Sequence, residues 1–120
     1  MSEEAPVRVL LVEDSDVYRD SLVFLLGTRT DVVVVDAVPD GASALRACRA
    51  HEPDVVILDY RLPDVDGAAV AAELAAPVVF LSASAGQDEY DAASSAGAAL
   101  VRKDEGIDAL VRAVRAAAGR

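Results

Sequence analysis

Aromatic residues are scarce in this sequence, with three Tyr, two Phe and no Trp, while 53% of its residues are hydrophobic. A core must therefore be assembled from Val, Leu and Ala rather than from large rings. Cysteine is almost absent. Cys48 stands alone, which excludes an intrachain disulfide, fits a reducing cytoplasm, and reads as a small buried apolar residue of a helix. His51 is the only histidine and has no nearby Cys, so it reads as a structural or surface residue rather than a zinc ligand. Positive charge is also in deficit: 11 basic residues against 21 acidic ones leave a formal charge of -10. Such a chain repels nucleic acid phosphates and anionic membrane surfaces, so no direct nucleic acid contact is expected of it. No basic segment followed by an apolar stretch opens the chain, and no apolar run approaches the roughly 18 residues needed to span a bilayer. A cytoplasmic location with no membrane association is expected.

What is present is a succession of short apolar runs that stop at polar residues. Val55-Val56-Ile57-Leu58 ends at Asp59 and is followed by the turn formers Pro63 and Gly67, the pattern of a strand buried on both faces that terminates in an acid. The same reading along the chain predicts β1 over 7–12, ending at Glu13-Asp14, and α1 from a cap at Ser15 or Asp16 to Gly27, with Tyr18, Leu22, Leu25 and Leu26 inward. It predicts β2 over 32–35 ending at Asp36, and α2 from Asp40-Gly41 with Leu45 and Cys48 buried; β3 is the run ending at Asp59. A short α3 over 68–76, with Val70 and Leu74 on one face, precedes β4 over 78–81, which ends at Ser82. Residues 87–96 form a weak α4 with Tyr90 as its only large apolar residue, residues 98–101 form β5 ending near Lys103, and Ile107, Leu110, Val111 and Val114 define α5. Residues 1–6 are expected to be a disordered terminus, and residues 1–120 a single domain.

Strands alternating with helices imply right-handed parallel crossovers and a doubly wound five-stranded parallel sheet of flavodoxin-like architecture, strand order 2-1-3-4-5. The crevice at the reversal between β1 and β3 then gathers Glu13, Asp14 and Asp59, with Ser82 and Lys103 arriving from the neighbouring strands. Carboxylates held this close call for a divalent cation, and an all-oxygen set favours Mg²⁺ or Mn²⁺. A carboxylate beside a metal, a hydroxyl and an ammonium is equipment for phosphoryl transfer, with Asp59 the natural nucleophile. Asp64 and Asp66 read as solvated loop residues outside this site.

Glu13-Asp14, Ile57-Leu58-Asp59 with Pro63 and Gly67, Ser82-Ala83 and Lys103 resemble the receiver domain of bacterial two-component response regulators, over nearly the whole chain. The resemblance implies that Asp59 accepts a phosphoryl group from a histidine kinase or phosphotransfer protein. It implies Mg²⁺ held by Asp14, Asp59 and the Arg61 backbone carbonyl, with Glu13 acting through water. Ser82 and Lys103 would contact phosphoryl oxygens, and Ala83 would leave room for them. A signalling switch rather than an enzyme follows, one that changes its α4-β5-α5 face and can form a homodimer through that face or through α1-α5. The sequence departs from the family at Leu100, where an aromatic switch residue is usual, at Asp104, where Pro often follows the lysine, and in the short stretch from Gly67 to Pro77. These departures keep a second reading open, a receiver that serves as an interaction module without phosphorylation. A flavodoxin-like ligand-binding module fits less well, because Glu13-Asp14-Ser15-Asp16 stands where a glycine-rich phosphate loop would be. A phosphatase with an aspartate nucleophile would carry an Asp-x-Asp pattern after β1, and none is there.

Overall fold

Each apolar run pairs with its neighbours through parallel ladders, because each strand is followed by a helix that carries the chain back across the sheet. In a computed structural model, which describes residues 5–84 and 86–120, five strands form one parallel sheet in the order β2-β1-β3-β4-β5. The elements are β1 (Val7–Val12), α1 (Asp16–Gly27), β2 (Val32–Val38), α2 (Gly41–His51), β3 (Val55–Asp59), α3 (Gly67–Glu73), β4 (Val78–Ser82), α4 (Gln87–Ser95), β5 (Ala99–Arg102), a single 3-10 turn (Lys103–Glu105) and α5 (Ile107–Ala117). The expected doubly wound topology is the one observed.

Alternation along the strands divides the core between two faces. Val9, Leu11, Ile57, Val79 and Leu81 pack against Leu22 and Leu26 of α1 and Leu110, Val111 and Val114 of α5. Leu10, Val12, Val56, Leu58 and Phe80 pack against Ala44 and Ala47 of α2, Val70 of α3 and Ala93 of α4. Aliphatic side chains of the helices cover one face and mostly alanines cover the other.

Several expectations need correction. In α2 the buried positions are Ala44 and Ala47, whereas Leu45 and Cys48 are only half-buried, since the helix lies close enough to the sheet to admit no more than methyl groups. In α1 Leu25 is 40% exposed, and the inward stripe is narrowed to Leu22 and Leu26 with Tyr18 partly buried. Helix α3 ends at Glu73, and Leu74 turns into extended backbone ahead of Pro77 while still packing on the same cluster. Strand β2 runs past Asp36 to Val38, with a register shift that leaves Val35 without a partner opposite β1. Helix α4 was expected only to be weak, with Tyr90 its one large apolar residue; Tyr90 is exposed, and the residues facing inward are Glu89 and Ala93. The expected disordered terminus falls mostly on residues 1–4, outside the described ones; the Ala5 carbonyl accepts a hydrogen bond from Arg120.

Short α3 leaves an open groove of about 670 Å³ at the amino-terminal end of β3 and β4, bordered by Leu45, Cys48, Leu74 and Pro77. It lies at the opposite end of the sheet from the acids.

Candidate functional site

Strands β1 and β3 pair from Val9 with Val55 to Val12 with Leu58, so Glu13 and Asp59 leave the sheet side by side. Carboxylate oxygens of Glu13, Asp14 and Asp59 lie within 4.8 Å of one another. Glu13 is fully buried, Asp59 is 6% exposed and Asp14 faces solvent. Burial is tolerated because each inner carboxylate is hydrogen-bonded. The Ser15 backbone N–H donates to Glu13 Oε2 at 2.9 Å, and the Arg61 N–H donates to Asp59 Oδ1 at 3.0 Å. Lys103 Nζ bridges the two acids, 2.6 Å from Glu13 Oε1 and 3.3 Å from Asp59 Oδ2.

Gly67 fixes the loop that leaves the acid. Its N–H donates to the Tyr60 carbonyl at 3.0 Å, and a Cβ there would lie 2.7 Å from that oxygen and 2.8 Å from the Asp59 carbonyl, so a side chain would force the loop open. The loop is further tied down by Asp64, whose carboxylate accepts the Gly41 and Ala42 N–H groups at 2.9 and 3.1 Å. Asp64 is therefore more than the solvated turn residue expected. It caps α2 alongside Asp40, and those backbone hydrogen bonds, Gly41 first, hold its carboxyl below the ordinary carboxylate value. Asp66 occupies the N-cap position of α3 without a side-chain capping bond.

Three carboxylates face one ammonium, leaving a net charge near -2 in a part-buried site whose donors are all oxygen. That set fits a hard divalent cation. Burial alone would lower the Lys103 pKa, but the hydrogen bond to Glu13 and the charges of Asp59 and Glu13 prevail and raise it. The ammonium also stands 4.5 Å from the centroid of the Tyr18 ring. Tyr18 is itself raised, by burial first, with Lys103 opposing and Glu13 and Asp59 adding.

Ser82 does not reach into this cluster by a hydrogen bond. Its Oγ is 2.7 Å from Glu89 Oε2 and 3.1 Å from the Ser84 carbonyl, and the single hydroxyl proton favours the charged acceptor. Arg61 Nη2 is 3.1 Å from Glu89 Oε1. Ala83 is exposed, and Leu100 is half-buried against the alanine-rich face, in register with Phe80. Of the residues expected at the site, Glu13, Asp14, Asp59 and Lys103 are brought together, with the Arg61 backbone beside them. Ser82 sits at the adjoining strand end and is held elsewhere. Glu89 and Tyr18 were not anticipated. Tyr18 was read only as a core residue, and no pattern in the sequence marks Glu89 as buried.

A family model for the response regulator receiver domain matches residues 9–115. The chain belongs to the response regulator receiver family. It is 39% identical over 125 aligned residues to "Probable transcriptional regulatory protein NarL" of Mycobacterium tuberculosis, a match covering 95% of this chain and 56% of that protein. It is 31% identical to a protein-glutamate methylesterase/protein-glutamine glutaminase of Nitrosospira multiformis, across 84% of this chain and 31% of that one. Among solved structures, the signal receiver domain of NarL from Mycobacterium tuberculosis superposes with a TM-score of 0.88 at 38% identity, covering 98% of this chain and 100% of that one. A LuxR-family two-component response regulator from Aurantimonas gives 0.87 at 30% identity, covering 96% and 87%. This receiver thus spans little more than half the length of the first curated relative, and such relatives include both a transcriptional regulator and an esterase. Among the described residues no helix is long and apolar enough to cross a membrane.

Proposed function

We propose that this receiver is a phosphoacceptor whose Asp59 takes a phosphoryl group from the phosphohistidine of a histidine kinase or phosphotransfer protein. The observation that carries the reading is the placing of Asp59: one oxygen accepts the Arg61 N–H and the other lies by Lys103, beside the acids of β1. An Asp59 oxygen attacks phosphorus, the P–N bond breaks, and its electron pair stays on the imidazole, which takes up a proton; the product is an acyl phosphate. Asp14, Asp59 and the Arg61 carbonyl would hold Mg²⁺, with Glu13 behind them through water, and bound Mg²⁺ would neutralise charge gathering on the phosphoryl oxygens. Lys103 would neutralise the same charge, and Ser82 would donate a hydrogen bond to it. Exposed Val17 and Phe24 on α1, 79% and 72% accessible, offer the donor protein an apolar face beside the site. The modified domain signals through α4-β5-α5, by self-association or a partner contact, as a cytoplasmic switch formed by residues 1–120 as one domain.

Acetyl phosphate with Mg²⁺ tests the reading. One labile phosphoryl adduct is expected by intact mass, absent without Mg²⁺ and absent in Asp59→Asn. An adduct that persists in Asp59→Asn would place the acceptor elsewhere. No adduct under any condition would favour the receiver as an interaction module without phosphorylation, the reading to which Leu100 lends support.

A further inference from the structure

Helix α4 presents a carboxylate where a helix packed on a sheet ordinarily presents a large apolar side chain. Glu89 is 9% exposed, its only buried companion in the helix is Ala93, and Tyr90 points outward. The carboxylate is satisfied by two groups from outside the helix, the Ser82 hydroxyl of β4 and the Arg61 guanidinium from the loop after Asp59. Both belong to the immediate surroundings of the acceptor. Arg61 also gives its backbone N–H to Asp59, and Ser82 is the strand-end hydroxyl beside it, with Leu81 aligned to Asp59 across the ladder.

From this geometry we infer that Glu89 is a positioning residue that holds the Ser82 hydroxyl, with Arg61 as counter-charge, until a phosphoryl group on Asp59 takes the hydroxyl away. The inference rests on the phosphoacceptor reading of Asp59 and extends it to α4. Ser82 has one proton to donate, so Glu89 and a phosphoryl oxygen compete for it. Arg61 can turn from one anion to the other, and a phosphoryl dianion repels the Glu89 carboxylate nearby. Each change removes a reason for Glu89 to remain buried. With one alanine as its other buried side chain, α4 then has little left to hold it on the sheet. Release of a carboxylate does the work that a moving ring cannot do here, since Leu100 occupies the ring's place.

The competition predicts that removing Glu89 makes the acceptor state easier to reach. Beryllofluoride with Mg²⁺, a mimic of the phosphoryl group, is titrated into the parent, Glu89→Ala, Glu89→Gln, Ser82→Ala and the Ser82→Ala/Glu89→Ala double variant. Glu89→Ala is expected to bind about tenfold more tightly than the parent, the equivalent of one charge-assisted hydrogen bond. Glu89→Gln, which keeps an acceptor for Ser82, should gain clearly less. In the Ser82→Ala background the Glu89→Ala change should tighten binding clearly less than it does in the parent, because most of the coupling runs through the hydroxyl. In unmodified protein, hydrogen exchange across α4 should rise in Glu89→Ala and return toward the parent in Glu89→Gln. Equal tightening by Ala and Gln, persisting without the Ser82 hydroxyl, would reduce Glu89 to a negative charge near the site and overturn the inference. So would unchanged affinity in Glu89→Ala. If the folded parent takes no beryllofluoride, the acceptor reading falls and the inference with it; if the parent binds and the variants match it, only the role of Glu89 falls.

Discussion

Helices α4 and α5 flank the same edge of the sheet and are attached to it by opposite means. Helix α5 buries Leu110, Val111 and Val114 in the aliphatic cluster, whereas α4 buries Ala93 and a carboxylate bound to Ser82 and Arg61. Aliphatic burial depends on area and is indifferent to events at the acids. A carboxylate held by a strand-end hydroxyl depends on what else that hydroxyl can bond. The two helices teach that mobility can be assigned within a small domain by the chemistry of the docking contact: α5 is an anchor, and α4 is released by a competitor for its hydrogen bonds.

The comparison breaks if truncations in the two helices cost the same. Leu110→Ala is expected to destabilise the domain by about 2–5 kcal/mol, and Tyr90→Ala by no more than about 0.5 kcal/mol, measured by urea unfolding. Lys103→Met comes next, at about 1–3 kcal/mol without added metal, because it strands the buried Glu13 carboxylate with only the Ser15 N–H. Its sign with pH follows from a raised lysine pKa. The contribution of Lys103 is fully present below the ordinary value of 10.5 and is lost as pH climbs through the higher folded value. Stability of parent and variant should therefore converge in strong alkali; a constant gap up to the unfolding pH would contradict the pairing. Phosphorylation or beryllofluoride should raise exchange in α4 severalfold while α5 changes little. An equal response in both would erase the contrast. The smallest effect is expected at Asp64, which ties the acceptor loop to α2. A lowered carboxyl pKa contributes stability above the ordinary value of 3.8 that is lost as pH falls through the folded value. Asp64→Asn should thus melt slightly below the parent at neutral pH and alongside it in acid.

How far the sequence could be read followed how local the determinants were. Strands β1, β3 and β4 were legible to within a residue, since continuous apolar runs stop at Glu13, Asp59 and Ser82. The acids and Lys103 were legible because topology alone puts the ends of parallel strands on one edge. The inward faces of helices α2 and α4 were not, although both helices were placed, because Ala44, Ala47 and Ala93 leave no hydrophobic stripe by which to orient them. Glu89 looked like any helical surface acid. Its burial depends on Arg61, 28 residues away in sequence, and on Ser82 being at a particular strand end. Asp64 is the exposed loop residue expected, but its capping of α2 was missed for a similar reason, its N–H partners lying more than 20 residues away in sequence.

The irregular second strand bears on a separate hazard, that of sheets adding to one another in a crowded cell. Strand β2 is one outer margin of the sheet, and its skipped partner at Val35 breaks the even spacing that an incoming strand would need. The other margin, β5, is four residues long, ends in Arg102 and runs directly into Lys103. Neither margin offers a long flat template for fibril-like stacking, so a domain this rich in Val and Leu keeps its most aggregation-prone segments, β3 and β4, walled between shorter or disrupted ones.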